Sequence, residues 1–229
     1  MNETPDVSNF IKIIKDNSRQ LILDTLMDGR FHTVYELAKS ANITHHTASY
    51  HLKKLYDLNW VVVEKHGRHR YYQLKNKEVA VIFEYLTSFS PAKPINYLSK
   101  KIKQEKLHFA RTCYDHLAGY IGVQINNRLL ECGYLEEFNN KWVITGLGQK
   151  FFKDALDIKT AKLEHEKRQF CRVCLDWSER RHHLAGSIGK AMLESFIKKR
   201  FVILEDDSRA VLITKKGKLF LKETLQINL

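Results

Sequence analysis

The sequence predicts a mainly α protein of the α+β class, with an N-terminal domain and a longer, helical C-terminal domain. Helix-capping signals and a β-hairpin pattern follow one another in the first 90 residues, and a seven-residue motif occurs twice in the second half. The chain has 229 residues, of which 44% are hydrophobic, enough for two cores. Two of the three prolines fall in 90–94 and interrupt the helical pattern. We therefore predict domains at 1–90 and 107–229, joined by a linker at 91–106.

The first helices are predicted from short apolar stripes and caps. Residues 1–9 are polar and are expected to form a tail, after which Phe10 to Ile14 carry a helical apolar stripe. Ser18 is expected to cap a second helix. Thr33 is followed three residues later by Glu36, which is a capping box and predicts a third helix over 33–40.

A fourth helix, starting after Thr44, separates apolar from polar side chains. Ala48, Leu52 and Leu55 fall on one side of a 3.6-residue period and predict a buried face. The other face offers hydrogen-bond donors, acceptors and a cation. A helix with such a face is suited to the major groove of DNA, which admits a helix and shows a distinct pattern of polar groups for each base pair.

The segment after this helix predicts a basic β-hairpin. Val61 and Val63 alternate with their neighbours, Gly67 lies at the turn, and Tyr72 and Leu74 alternate on the returning strand. Residues 44–75 contain six Lys or Arg against two acidic residues. Helices followed by such a hairpin predict a winged helix-turn-helix domain that contacts phosphates.

This region resembles the ArsR/SmtB family of bacterial transcriptional regulators. The similarity rests on the ELA helix at 36–38, on the pattern TxxTxSxHLxxL at 44–55 and on GRxRYYxL at 67–74. The resemblance implies a homodimer held by the helix at 10–14 and by a helix at 79–89, and an inverted-repeat operator in double-stranded DNA. The expected DNA-binding residues are Thr44, His45, His46, Thr47, Ser49, Tyr50, His51, Lys53, Lys65, Arg68 and Arg70.

Composition limits the classes of function and location. The net charge is +12, of which residues 1–75 contribute +3 from eleven basic and eight acidic side chains, so +9 lies beyond them. Four cysteines and no hydrophobic signal or membrane segment predict a cytoplasmic protein with free thiols. The sequence contains no P-loop, GxGxxG, HExxH or GxSxG motif, so we do not expect an enzyme.

The C-terminal domain contains an internal repeat. HLAGYIG at 116–122 recurs as HLAGSIG at 183–189, and each copy is followed by an amphipathic helix and a hairpin that ends in Thr-x-x-Gly. We therefore predict two pseudo-repeats, about 107–160 and 161–229, with small winged-helix-like hairpins. The runs CYDHLAG and CLDWSERRHHLAG resemble those of a longer, two-domain branch of ArsR-type regulators.

Cysteine and histidine residues near these motifs form a candidate metal site. The N-terminal domain lacks the cysteines and histidines of the familiar ArsR metal sites, since 33–40 has no cysteine and 77–89 no histidine. C-x-x-H and C-x-x-C spacing would place ligands one helical turn apart, and Arg172, Arg180 and Arg181 would favour thiolates. The alternative for each residue is ordinary core packing. The candidates are Cys113, His116, Cys171, Cys174 and His183.

These observations predict a sequence-specific DNA-binding regulator, a repressor relieved by an effector that acts on the C-terminal domain. Two alternatives remain open: a metal-responsive or thiol-redox sensor that uses the C-terminal cysteines and histidines, and a winged-helix scaffold that does not bind DNA. The effector is unknown. A metal ion such as zinc fits the candidate ligands, and no cofactor is required for DNA binding.

Overall fold

The structure is a computed structural model that describes residues 7–67, 69–75, 77–90, 98–139, 141–165, 168–206 and 208–229. The chain divides into two compact units, Met1–Ile82 and Phe83–Leu229. Among the described residues, no helix is both long enough and apolar enough to cross a membrane. The predicted tail lies at 1–9, of which 1–6 are outside the described residues, and the first helix already begins at Val7.

Unit 1 is a winged helix-turn-helix with a three-stranded antiparallel sheet, as predicted. The strand order is β1-β3-β2, and β1 is an addition that the sequence pattern did not predict. Ile22, Leu26, Leu37, Leu52 and Leu55 are fully buried and form the core under the helices. The elements are α1 (Val7–Ile14), α2 (Asn17–Leu26), β1 (His32–Thr33), α3 (Val34–Ala41), α4 (His45–Asp57), β2 (Val61–His66), β3 (His69–Leu74) and α5 (Lys77–Phe89), which continues into unit 2.

Local side-chain hydrogen bonds set the ends of the helix-turn-helix. The Thr33 hydroxyl accepts from the Glu36 backbone N–H and the Glu36 carboxylate accepts from the Thr33 N–H, so the capping box is present. Asn42 ends α3 in the left-handed conformation, with φ of 53°. The Thr44 hydroxyl then accepts from the Thr47 N–H at 3.2 Å and begins α4. These caps fix where the recognition helix starts. The N-cap of α2 is Asp16, whereas Ser18 was predicted, because the Asp16 carboxylate accepts from the Arg19 N–H.

Unit 2 consists of two similar halves. Each half runs from a β-hairpin into a helix of 13 residues, then through a second hairpin into a helix of 11 residues. The first half contains β4 (Arg111–Cys113), β5 (His116–Ala118), α7 (Gly119–Glu131), β6 (Leu135–Phe138), β7 (Lys141–Ile144) and α8 (Gly146–Leu156). The second contains β8 (Arg172–Leu175), β9 (His182–Ala185), α10 (Gly186–Lys198), β10 (Val202–Leu204), β11 (Val211–Ile213) and α11 (Lys215–Leu225). Two further helices are α6 (Leu98–Phe109) and α9 (Thr160–Glu164).

The two halves repeat each other in detail. Thr145 and Thr214 cap α8 and α11 in the same way, each accepting from the N–H of the glycine three residues later at 3.0 Å. Gly122 and Gly189 occupy equivalent places on α7 and α10. A Cβ on either glycine would lie 2.6 Å from a backbone oxygen, which is too close for a real Cβ contact. The last glycine of the repeated seven-residue motif therefore allows a helix to lie close to its own hairpin.

Two predicted features of unit 2 differ in the structure. Cys113 and His116 were expected one turn apart on a helix, as were Cys171 and Cys174, but these residues lie in or beside β-hairpins. Helix α6 occupies part of the predicted linker at 91–106, and the predicted junction at 91–97 lies outside the described residues.

Candidate nucleic-acid interface and buried Cys/His cluster

Helix α4 presents a polar, exposed face. His45, His46, Tyr50 and Lys53 are exposed, and Ser49 between them is half-buried. Thr44 and Thr47 lie at the N-terminus of the helix, where their hydroxyls are 2.8 Å apart. Lys54 lies over the Tyr50 ring, 4.4 Å from its centre, and the hydrogen bond between the two side chains lowers the pKa of Tyr50. The face thus holds donors, acceptors and cations that are free of core packing.

His51 does not belong to this face. Its side chain is 6% exposed, and it falls with Ala48, Leu52 and Leu55 on the buried side of α4. The Nε2 atom lies 3.8 Å from an oxygen of Asp16. Burial lowers the pKa of His51, although the Asp16 carboxylate opposes this effect. The expected contact of His51 with DNA is therefore wrong, because the side chain is buried beside Asp16, the N-cap of α2.

The wing borders the same face as a basic strip. Lys65 and Arg70 are opposite one another in the β2–β3 register, and both are exposed. His66 and His69 form the next pair toward the tip. Arg68, another expected contact, lies outside the described residues.

A groove runs between α4 and the wing. It is lined from the helix by His45, Ser49 and Lys53, and from the wing by Lys65 and Arg70. Tyrosines from α3, α4 and β3 complete its wall. A groove with cations on both sides can hold a phosphate backbone while the helix face reaches the bases.

Unit 2 brings four of the five predicted metal ligands together. Cys113, His116, Cys174 and His183 are all buried, and one ligand atom from each lies within 4.8 Å of the others. The two sulfur atoms are 3.9 Å apart, and the two Nε2 atoms are 3.1 Å apart. In the part of the chain that the structure describes, this is the one group of at least three such side chains with metal-ligand spacing.

Two hairpins supply these side chains in the same manner. Cys113 pairs with His116 across β4–β5, and Cys174 pairs with His183 across β8–β9. Residues that are directly opposite in an antiparallel pair project to the same face. Each hairpin therefore contributes one thiol and one imidazole, and β5 packs against β9 so that the two pairs meet.

Each histidine is held from behind by an aspartate. His183 Nδ1 lies 3.2 Å from an oxygen of Asp176, and His116 Nδ1 lies 3.4 Å from an oxygen of Asp115. Asp176 forms a completely buried ion pair with Arg111 at 2.9 Å, while Asp115 pairs with Arg168 through both guanidinium nitrogens. With the Nδ1 atoms on the aspartate side, the two Nε2 atoms face each other inside the cluster, 3.1 Å apart.

The surroundings of Cys113 favour its thiol over its thiolate. The hydrogen bond with Cys174, together with complete burial, raises the pKa of the Cys113 thiol well above its ordinary value. Burial opposes protonation of His183, but Asp176 and Cys113 outweigh it and raise its pKa to about 9. The thiolates expected from the nearby arginines are therefore not favoured at Cys113. The hydrogen bond with Cys174, the complete burial of Cys113 and the nearby negative charge of Glu84 all disfavour its thiolate, and the arginines do not overcome them.

Cys171 lies outside the cluster. It immediately precedes β8, three residues before Cys174, and an odd separation along an extended chain places two side chains on opposite faces. Cys171 packs instead with the apolar core of unit 2, which includes Leu184 and Ile188. Burial raises the pKa of its thiol to about 12.

Sequence reasoning missed the supporting carboxylates. Asp115 and Asp176 each follow a cluster cysteine by two residues, in the runs Cys113-Tyr-Asp and Cys174-Leu-Asp. This repeated Cys-x-Asp spacing was a usable signal. The buried pair of Glu84 on α5 and Arg209, with a distance of 3.0 Å, had no comparable signal because its members are 125 residues apart.

Comparison with known proteins agrees with the fold of unit 1. Residues 16–62 match the family described as bacterial regulatory protein, arsR family. Over 225 residues the chain is 41% identical to the HTH-type transcriptional regulator YdfF of Bacillus subtilis, covering 98% of this chain and 99% of that protein. It is 32% identical over 87 residues to the cadmium resistance transcriptional regulatory protein CadC of Listeria innocua, covering 38% of this chain and 73% of CadC.

Among solved structures, NolR from Sinorhizobium fredii aligns with 41% of this chain and 100% of its own, at 24% identity and a TM-score of 0.35. The match to YdfF extends over nearly the whole of both chains, and the arsR match covers the helix-turn-helix itself. The chain therefore belongs to the ArsR family of bacterial regulatory proteins and is a DNA-binding transcriptional regulator.

Proposed function

We propose that the protein binds an inverted-repeat operator as a homodimer and represses transcription until an effector acts on unit 2. In this proposal α4 reads bases in the major groove and the wing contacts phosphates. The observation that carries it is the exposed polar face of α4 beside a strip of wing cations, along one groove. Both features lie in the winged helix-turn-helix, the fold in which such a helix enters the groove.

The spacing along α4 supports a role in base recognition. His46, Tyr50 and Lys53 follow one another at intervals of four and three residues and are all exposed. Side chains at these intervals share one face of a helix and can meet successive base pairs. Thr44 and Thr47 at the N-terminus of α4 are placed to contact the phosphate backbone, with help from the helix dipole.

Exposed apolar side chains on two helices support the homodimer. On α1, Val7 and Ile11 are 61% and 55% exposed, although both are apolar. On α5, Ile82, Leu86 and Phe89 share one face and are exposed, with Phe89 at 78%. A second copy of the chain would remove these surfaces from water. A dimer of this kind would read two half-sites about 10 base pairs apart, or a multiple of that distance.

Repression and its relief are supported by the size of unit 2. A dimer on a promoter excludes other proteins from the same DNA, so binding alone is sufficient to repress. Unit 2 contains the larger share of the chain, and its duplicated halves form a separate core in which an effector can act.

The test is DNA binding by the full chain to its own promoter region and to random DNA, at several salt concentrations. His46→Ala should weaken binding to the promoter site by about 1–3 kcal/mol and relax the preference at one base position. His165→Ala, which replaces an exposed histidine of unit 2, serves as the matched control and should leave binding unchanged. Equal losses on promoter and random DNA would reassign His46 to phosphate contact, and an absence of salt-dependent binding would favour the scaffold alternative.

The dimer is tested separately by sedimentation. A monomer at micromolar concentration that binds an asymmetric site would contradict it. An added effector that releases the operator would support repression, whereas one that tightens binding would contradict the proposed direction.

A further inference from the structure

The distances within the Cys/His cluster fit one tetrahedral ion. With metal–sulfur bonds of about 2.3 Å and metal–nitrogen bonds of about 2.0–2.1 Å, a tetrahedron has sulfurs about 3.8 Å apart and nitrogens about 3.3 Å apart. The observed separations are 3.9 Å between Cys113 and Cys174, and 3.1 Å between His116 and His183. The longest distance in the group, 4.8 Å, must contract by about 1 Å.

We propose that Cys113, His116, Cys174 and His183 bind one divalent ion of the Zn²⁺ class, which joins the two halves of unit 2. The proposal is independent of the DNA-binding function. Two sulfurs and two imidazole nitrogens in a tetrahedron are the ligand set of zinc rather than of magnesium or calcium, which require oxygen. Each half contributes one cysteine and one histidine, so neither half can complete the site alone.

The aspartates complete the arrangement expected around a metal-bound histidine. A ligating imidazole commonly donates its second N–H to a carboxylate, which fixes the ring and its tautomer. Asp115 and Asp176 occupy those positions behind His116 and His183. Each aspartate is in turn held by an arginine, so the carboxylates are fixed before any ion binds.

Charge is balanced when the site binds a divalent ion. Binding releases the two thiol protons and the proton of the His183 imidazolium, M²⁺ + 2 RSH + ImH⁺ → M(SR)₂(Im) + 3 H⁺, so the ion and its four ligands are neutral as a group. The surrounding ions also balance, since Asp115, Asp176 and Glu84 face Arg168, Arg111 and Arg209 respectively. A buried site gains no uncompensated charge, whose cost would otherwise be large.

Four protein ligands leave no open position for a substrate. A closed tetrahedral site is typical of structural zinc, whereas a catalytic zinc keeps one position for water. The ion would therefore link the β4–β5 hairpin to the β8–β9 hairpin and stabilise their packing. Because β5 and β9 lead directly into α7 and α10, the same ion would fix the start of both helices.

The first experiment uses the unmodified full chain. The chain is purified under reducing conditions from zinc-containing medium, and its metal content is measured. One zinc per chain is expected, and X-ray absorption at the zinc edge should show two sulfur and two nitrogen neighbours. The absence of stoichiometric zinc both as purified and after reconstitution, or a shell of nitrogen and oxygen alone, would overturn the proposal. A Cys113–Cys174 disulfide in the unreduced chain that persists instead of metal binding would also overturn it.

Variants then identify the ligands by Co²⁺ substitution, since thiolate-to-cobalt charge transfer reports the number of bound sulfurs. Cys113→Ser and Cys174→Ser should each lose about half of this absorption, whereas Cys171→Ser, the matched control, should retain all of it. Asp115→Asn should keep both sulfurs but weaken metal affinity about 10-fold to 100-fold, because it acts through His116. Unchanged absorption in both ligand variants, or an equal loss in Cys171→Ser, would contradict the assignment.

Folding and DNA binding are followed on the same samples. If a serine variant does not fold, the absorption spectrum of the unmodified chain still decides the ligand set. Chelation of the ion should lower the unfolding temperature of the unmodified chain, and added Zn²⁺ should restore it. Salt-dependent binding to random DNA measures the function of unit 1, so a failure of the metal site and a failure of DNA binding are distinguishable.

Discussion

The role of the wing predicts a definite change in salt dependence when Arg70 is replaced by alanine. Each phosphate contact contributes about 0.9 to the slope of log affinity against log salt. The proposed dimer places two wings on one operator, so a single substitution removes two contacts and lowers the slope by about 1.8. Between about 200 mM and 50 mM salt, the unmodified protein should then gain about ten-fold more affinity than Arg70→Ala.

Arg70 is a suitable site for this change. Its side chain is exposed and lies opposite Lys65 on the hairpin, so alanine removes a charge without opening the core. The matched control is Lys75→Ala, which removes the same charge at the other end of the hairpin. Lys75 is also exposed, and its ammonium group donates to the Asn59 side chain at 2.9 Å. The control should leave the slope unchanged.

The assay is fluorescence anisotropy with labelled operator DNA over a series of salt concentrations. An unchanged slope in Arg70→Ala would refute the placement of the wing on phosphates. A decrease of only about 0.9 would refute two equivalent wings per complex and, with them, the dimer. An equal decrease in Lys75→Ala would show that the slope follows total charge rather than position.

Three further predictions concern stability. Gly119 and Gly133 both have positive φ, but a Cβ on Gly119 would lie 2.7 Å from the His108 carbonyl oxygen, while Gly133 has open space around it. In denaturant titrations, Gly133→Ala should cost about 1–2 kcal/mol for the left-handed backbone, and Gly119→Ala clearly more; equal costs would contradict the close approach. Glu84→Leu should destabilise unit 2 by about 3 kcal/mol by removing the carboxylate that balances the buried Arg209 charge, and the double variant Glu84→Leu/Arg209→Met should cost less than the sum of the single changes. Finally, burial lowers the pKa of His51, the nearby Arg19 and Lys54 lower it further, and the Asp16 carboxylate only partly opposes them. The unfolded chain therefore binds a proton at His51 more readily than the folded chain does. Stability should fall as the pH is lowered through this range. His51→Gln should show a flatter stability profile between about pH 7.5 and 5.5, and a parallel profile would exclude this residue as a cause.

Much of unit 1 could be predicted because its signals are local. The capping box of Thr33 and Glu36, the cap at Thr44 and the turn at Gly67 each act within a few residues, and all three are present in the structure. His51 was misplaced because a histidine on a helix was taken to be exposed. Its spacing of three from Ala48 and four from Leu55 already placed it on the buried side.

The β4–β5 and β8–β9 hairpins of unit 2 were harder to predict because they lack turn glycines. In the first hairpin the left-handed position is taken by Tyr114, with φ of 60°, and in the second by Arg180, with φ of 54°. A non-glycine residue at positive φ is uncommon and leaves no clear sequence signal. The spacing of three between Cys113 and His116 also fits both a helical turn and a two-residue hairpin loop, so spacing alone could not distinguish them.

The β4–β5 and β8–β9 hairpins differ in the length of the loop between their cysteine and their histidine. The cluster histidines are 67 residues apart and the cysteines 61, so the second hairpin contains six extra residues, 67 − 61, between its cysteine and its histidine. The strand register still pairs Cys174 with His183, so the insertion lengthens the loop without moving the ligands.

Asp176, at the start of the longer loop, makes backbone hydrogen bonds that Asp115 does not make. One oxygen of Asp176 accepts from the N–H groups of Ser178 and Glu179 and holds the loop, while the other accepts from the Gly119 N–H of the first half at 2.7 Å. Asp176 therefore ties the loop, His183 and the start of α7 together, whereas Asp115 is partly exposed and pairs with Arg168. If the cluster holds a metal ion, loss of Asp176 should thus weaken both the metal affinity and the packing of the two halves, and loss of Asp115 only the metal affinity. Metal affinity and unfolding midpoint measured on Asp176→Asn and Asp115→Asn would separate the two effects, and equal shifts of the midpoint would contradict this division of roles.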